Sequence, residues 1–332
     1  MSLLLFLFLP ALIFDRLAGF FGRYLAGRLV SHVCHLSLID TLPVSRTCKA
    51  GLMSSSMPDL ARPSTGLTLM AVHAHPDDEV LGTGGVFARY SREGARTVLV
   101  TCTNGEQGDG PGGVKPGEPG HDPAAVAATR LAELGKSVSY LGVSDVELLG
   151  YRDSGMAGWA ANEDPGVFCN VPLAEPTERV AALMRQYRPQ VVVTYDENGN
   201  YGHPDHIQAH RVAVAAAEAS GIPVKFYYSA VPKSAFARLR AALEASGADV
   251  EAIGVPDDFG TPDEMITTDI DVSAYVELKL AALAAHASQT EDSFFARLPD
   301  DVVNLALSHE SFTLRSAPVG SAREDDLFAG LR

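Results

Sequence analysis

Two short stretches concentrate the side chains that bind metals and move protons. The first, HAHPDDE at residues 73–79, brings His75, Asp77 and Asp78 close together in the chain. The second, DENGNYGHPDH at residues 196–206, carries Tyr201, His203, Asp205 and His206, with His210 one helical turn later. Carboxylates packed this tightly repel one another, and a bound dication is the simplest compensation. Histidine nitrogens and aspartate oxygens bind zinc at about 2.0–2.2 Å, and a catalytic zinc keeps three protein ligands and an open position. His75 and Asp78 can supply two ligands from one turn, where Pro76 fixes its own φ as the chain leaves the strand. Asp77 and Asp78 need not point the same way, so one can bind while the other faces water as a general base. The third ligand falls in GHPDH, where His203 and His206 both qualify and His210 is an alternative. Using one of these histidines as ligand and one as acid is economical, and Tyr201 can donate to a developing oxyanion.

Both stretches follow apolar runs that must position them. Strands are expected at residues 67–73, 97–102, 138–143, 146–150, 190–195 and 224–230. Several are apolar at consecutive positions, as in strands covered on both faces of a parallel sheet. Helices are expected at about 83–92, 123–136, 175–187, 205–219, 233–246 and 273–287, with Pro123, Gly94 and Gly221 at starts and stops. The alternation predicts an α/β, Rossmann-like fold with a mainly parallel sheet and helices on both faces. Ligands in such sheets sit beyond the carboxyl ends of the strands, so the topology can bring the two polar stretches to one rim.

The other polar signals carry less. His286, in an alanine-rich helical run, and His309 read as structural, and His121, in a Gly/Pro-rich loop, as solvated. GTGG at 82–85 faintly suggests a dinucleotide loop, but the G-x-G-x-x-G pattern fails at Phe87.

The chain has 332 residues, 46% hydrophobic and 20% charged, ordinary values for a soluble globular protein. A formal charge of −15 argues against a nucleic-acid surface and leaves a small neutral substrate such as a sugar open. The four cysteines show no C-x-x-C spacing, so a reducing cytoplasm is the expected location. Residues 1–66 carry a net charge of +3 and the remainder −18. The segment opens with LLLFLFLPALIF, too short for a comfortable membrane span and without the basic start of a signal peptide. It is expected to be an N-terminal extension and linker outside the fold, with the working domain at 67–332 and Met53 or Met57 as plausible starts; membrane association would require this segment to be an anchor.

With these residues in view, the sequence resembles the zinc-dependent N-acetylglucosaminyl deacetylases of the LmbE or PIG-L family. Their A-H-P-D-D and H-P-D-H motifs stand here as residues 74–78 and 203–206. The resemblance implies a Rossmann-like fold, one zinc held by His75, Asp78 and His206, and Asp77 as general base. It also implies His203 as the charged or acidic partner, Asp205 as the residue that orients or tunes His203, and Tyr201 as oxyanion donor. Iron(II) would fit the same donor set. YRDSGMAG at 151–158, AALAAHASQ at 281–289 and DLFAGL at 326–331 are similar to the branch acting on N-acetylglucosaminyl-inositol in mycothiol biosynthesis. By that likeness Arg130 and Asp153 hold substrate hydroxyls, and Asp109 stands where the branch carries a glutamate. LGYRD also suits the branch acting on N-acetylglucosaminyl-malate, in bacillithiol biosynthesis. Gly82, where the mycothiol S-conjugate amidases carry a lysine, argues against that third branch.

Overall fold

In the first strand, β1 (Thr68–His73), neighbouring side chains serve two different cores. Leu69 and Ala71 pack into one apolar cluster and Met70 and Val72 into another, all fully buried. This period-two division requires cover on both faces of the sheet, and the consecutive apolar positions of the sequence reflect it. The structure, a computed structural model, describes residues 64–245, 259–290 and 300–332.

The elements follow in the order β1, α1 (Asp78–Arg92), β2 (Arg96–Thr103), α2 (Pro123–Leu141), β3 (Asp145–Tyr151), α3 (Ala174–Tyr187), β4 (Val191–Thr194) and α4 (Pro204–Ser220). After them come β5 (Lys225–Ala230), α5 (Lys233–Ala245), β6 (Thr268–Asp271), α6 (Val276–Ala285), α7 (Asp300–Leu307) and β7 (His309–Leu314). The seven strands form one sheet in the order β3-β2-β1-β4-β5-β7-β6. β3, β2, β1, β4 and β5 run parallel. β7 is antiparallel to both β5 and β6. Val86, Phe87 and Tyr90 of α1, Leu134, Val138 and Leu141 of α2 and Ala282 and Leu283 of α6 cover one face. Val180 and Met184 of α3 and Ala209, Val212 and Ala216 of α4 cover the other. The expected α/β architecture is the observed one.

The direction of strand addition reverses between β1 and β4, which are paired from Leu69↔Val191 to Ala71↔Val193. At such a switch point the connections leave on opposite faces and open a crevice at the carboxyl ends. HAHPDDE follows β1 and DENGNYGHPDH follows β4, so the crevice receives both.

Some expected elements change. Residues 138–143 are not a strand: residues 138–141 complete α2, whose Leu134, Val138 and Leu141 recur at helical spacing on the buried face. Gly142, at φ 71, stops the helix and donates its N–H to the Val138 carbonyl. Here packing overrides the strand preference of Val-Ser-Tyr. α1 begins at Asp78, five residues before its expected start at 83. Gly85 in this helix serves close packing: a Cβ there would lie 2.5 Å from Val272. The strands β6 and β7 were not expected, because TDID and HESFTL lack the apolar runs of the buried strands.

Ser64, just before the expected domain boundary at 67, also packs against the fold. Ser64 is fully buried, its N–H donates to the Glu93 carbonyl at 2.8 Å and its hydroxyl to Glu93 Oε2 at 2.9 Å. Residues 1–63, with the apolar opening run, lie outside the described residues. Among the described residues no helix is long and apolar enough to cross a membrane.

Candidate metal centre and active site

His75 and Asp78 leave β1 on one turn, with Asp77 between strand and helix. Asp77 is the residue before α1 and holds φ 108, a left-handed conformation that costs a non-glycine residue about 1–3 kcal/mol. Its side chain makes no capping bond to the helix. Asp78 is the first helical residue, where the positive end of the helix dipole favours a carboxylate. On the other wall Pro204 begins α4, with His203 capping it and His206 in its first turn. Gly199, at φ 62, lets the 196–202 loop pass close to that helix start: a Cβ there would meet His206 Cβ at 2.7 Å.

His75 Nδ1 lies 3.3 Å from His206 Nε2 and 3.3 Å from Asp78 Oδ2, while His206 Nε2 lies 3.4 Å from Asp78 Oδ1. Bonds of about 2.1 Å meeting at tetrahedral angles place their ends about 3.4 Å apart, so this donor set fits one divalent cation. Ring nitrogens of His203 also come within 4.8 Å of His75 and His206. Its Nδ1, however, accepts the Asp205 N–H at 3.1 Å, which leaves the neutral ring's proton on Nε2. His210 is engaged elsewhere, donating from Nδ1 to the Tyr195 carbonyl at 2.9 Å.

The groups behind the donors fix their orientation. His75 Nε2 lies 3.2 Å from Asp205 Oδ2 and 3.5 Å from Asp153 Oδ1, a carboxylate support typical of metal-binding histidines. The Asp205 carboxylate also accepts from the N–H of Ser154 at 2.9 Å and from its hydroxyl. Asp205 is expected to orient or tune His203; it meets that ring through its backbone N–H, while its carboxylate meets His75. Tyr195 donates to Asp78 Oδ2 at 2.7 Å and stacks on His206 with ring centroids 4.0 Å apart. Tyr201 sits with its hydroxyl 3.4 Å from His206 Nε2, at the edge of the donor triangle.

Arg130 and Asp153 are both buried against this centre. Arg130 Nη2 donates to Asp77 Oδ2 at 2.9 Å and to the Pro76 carbonyl at 2.7 Å, and Nη1 donates to the Gly105 carbonyl at 2.6 Å. It is thus clamped to the chain beside Asp77, and Gly105, at φ 71, supplies the space, since a Cβ there would lie 2.5 Å from the guanidinium. Asp153 accepts from the N–H groups of Gly155 and Gln107 at 2.8 and 3.2 Å. Asp109 is further out, paired with Lys115 at 2.6 Å and tied through its backbone to Gln289.

Burial pushes the Asp77 carboxyl up, against the pull of Arg130, and the Asp78 charge raises it further. For Asp78 burial acts in the same upward direction, but His206 and His75 overcome it and hold the group well below the usual range. Two adjacent carboxylates therefore differ: Asp78 stays ionised, while Asp77 has the raised affinity a proton acceptor needs. Burial, followed by the charges of His75 and His206, drives His203 well below an ordinary histidine.

Three contributors escaped the sequence. Tyr195 was visible only as the end of an apolar run. Glu79 was part of the first motif without an assigned role. His286, read as structural, is fully buried and lies 2.7 Å from Glu79 Oε1. His121 was expected in solvent and instead meets the Gly108 carbonyl at 2.9 Å.

Comparison with known proteins agrees with this geometry. Residues 70–217 match the family described as PIG-L, GlcNAc-PI de-N-acetylase. A 1D-myo-inositol 2-acetamido-2-deoxy-alpha-D-glucopyranoside deacetylase of Acidothermus cellulolyticus is 44% identical over 278 residues, covering 80% of this chain and 95% of the relative. A deacetylase of the same description from Streptomyces avermitilis is 42% identical over 286 residues, covering 79% of this chain and 97% of its own. Both motifs, the switch-point crevice between them and this identity along almost the whole length of the relatives lead to one conclusion: the chain belongs to the PIG-L de-N-acetylase family.

Proposed function

We propose that the protein is a metal-dependent amide hydrolase that removes the acetyl group from an N-acetylglucosamine conjugate, with N-acetylglucosaminyl-inositol of mycothiol biosynthesis as its substrate. The observation that carries the reading is the convergence of His75, Asp78 and His206 on one point, with the separate carboxylate of Asp77 beside them. The substrate follows from the deacetylases that share 42–44% identity with the chain.

Zinc or iron(II) in this donor set would polarise the acetyl carbonyl and lower the pKa of a water toward neutrality. Asp77 accepts the proton of that water as its oxygen attacks the acetyl carbon. Arg130 occupies Oδ2 of Asp77, so Oδ1 is the oxygen left for this transfer. Tyr201 donates its hydroxyl to the oxyanion that develops on the carbonyl oxygen. The C–N bond then breaks, and the nitrogen departs as an amine only if it gains a proton, which Asp77 now holds. His203 contributes a neutral Nε2–H donor, because its Nδ1 is taken by the Asp205 N–H. Asp205 and Asp153 hold His75 through Nε2, which leaves its Nδ1 as the nitrogen that would hold the cation. Arg130, Asp153 and Asp109 would take the hydroxyls of the sugar and its aglycone.

The test is acetate release from N-acetylglucosaminyl-inositol, with and without chelator, beside the malate conjugate. Chelator-sensitive release that is faster on the inositol conjugate is the expected result. Metal binding with no release from any glucosaminide would reject the hydrolase, and faster release from the malate conjugate would reassign the aglycone.

A further inference from the structure

The general base is mounted on a backbone that needs outside support. Asp77 is the cap residue of α1, yet its side chain makes no bond to the helix, and its φ of 108 is one that aspartate seldom adopts. In an ordinary capping box the cap side chain closes the helix while a glutamate in the first turn reaches back to the cap N–H. Only the second half of that device exists here. Glu79 Oε2 accepts the Asp77 N–H at 2.9 Å, so the backbone is held without drawing the Asp77 carboxylate onto the helix end.

Glu79 is itself held from two distant parts of the chain. Its Oε1 accepts from Ser137 Oγ of α2 at 2.5 Å and from His286 Nε2, just past the end of α6, at 2.7 Å. Glu79, Ser137 and His286 are each fully buried. A buried carboxylate and imidazole are costly to keep in a core that an apolar pair would also fill. What an apolar pair lacks is an acceptor for the Asp77 N–H.

We infer that Glu79 and His286 are positioning residues for catalysis: His286 fixes the Glu79 carboxylate, and Glu79 fixes the left-handed backbone that aims Asp77 at the reacting water. Arg130 steadies the far end of the same side chain through Oδ2. The inference rests on Asp77 acting as the base. Misplacing a catalytic group by about 1 Å can cost about 10²-fold in rate.

The experiment compares His286→Leu, His286→Gln, Glu79→Gln and Asp77→Ala in the full-length, zinc-loaded protein on N-acetylglucosaminyl-inositol. For His286→Leu we expect kcat to fall about 10- to 100-fold, with KM within about twofold and zinc near one per chain. His286→Gln, whose amide N–H can stand in for Nε2–H, should recover most of the loss, which a merely space-filling role would not produce. Glu79→Gln offers one acceptor oxygen to three donors and should lower kcat by at least about tenfold. It decides the question if His286→Leu does not fold. Parental kcat in folded His286→Leu or Glu79→Gln would overturn the inference, and so would loss of zinc from His286→Leu, which would assign the pair to the ligand Asp78. A fully active Asp77→Ala would instead refute the base itself. An impaired Asp77→Ala beside an unimpaired His286→Leu would remove only the positioning role.

Discussion

His75 Nδ1 and His206 Nε2 face each other at 3.3 Å across 131 residues of sequence. Each ring sits at the mouth of a parallel strand, and the two strands are neighbours at the point where the sheet reverses its winding. One proton can bridge the two nitrogens at that distance, and a divalent cation in its place would draw a lone pair from each.

The two adjacent aspartates should separate cleanly on substitution. Asp77→Ala is expected to retain zinc near one per chain while kcat falls about 10²–10⁴-fold, the range for a lost general base. Asp78→Ala should lose the metal, because Asp78 is the group within 3.4 Å of both histidines. Metal analysis of the two purified variants checks the assignment, and the reverse pattern would exchange the roles.

Asp205 is expected to act on the metal through His75. Asp205→Asn should weaken zinc affinity about 10–100-fold, as loss of a carboxylate behind a ligand histidine does, measured by chelator competition. Unchanged affinity with a fallen kcat would mean that Asp205 works through His203.

His203→Ala should keep zinc near one per chain and lose most turnover, by about 10²–10⁴-fold if it acts on the reacting groups. Its ring nitrogens are near enough to His75 and His206 for the alternative to be real. A metal-free variant would make His203 a ligand and His206 the catalytic partner.

Stability should depend on pH through a carboxylate far from the site. Burial alone would raise Asp326, but Arg332, at 2.8 Å, and the Phe328 N–H, at 2.9 Å, hold it below the usual range. As pH falls the unfolded chain binds this proton first, so its contribution is full above the ordinary carboxylate value and is lost as pH falls through the folded one. Asp326→Asn should cost about 1 kcal/mol at neutral pH, since solvent screens part of the interaction, and less in acid. Urea unfolding at several pH values measures the gap, and a gap that widens in acid would contradict the assignment.

The N-terminal boundary can be tested by truncation. A chain starting at Met57 should fold and turn over like the full chain. One starting at Leu67 lacks Ser64, which bonds to Glu93 and receives Arg332. It should lose about 1–2 kcal/mol and melt several degrees lower. Equal melting temperatures would put the start of the fold at Leu67.

The sequence by itself determined the parts whose signal is local. Consecutive apolar residues marked the central strands, because a strand buried on both faces cannot alternate. The two motifs marked the candidate donors, because one His-Pro-Asp turn is commonly just a turn, whereas two of them, each rich in ligand types after an apolar strand, point to a shared site. Local signals could not say which oxygen or nitrogen each group would meet. Asp205 seemed placed for its neighbour His203, yet its carboxylate crosses to His75, since α4 turns that side chain across the crevice. VSYLGV looked extended until the core claimed its helical face. The bond between His286 and Glu79 spans 207 residues, and nothing in an alanine-rich run announces a partner that distant. Tertiary packing alone decided these pairings, because a buried polar group must find a partner wherever the fold happens to bring one.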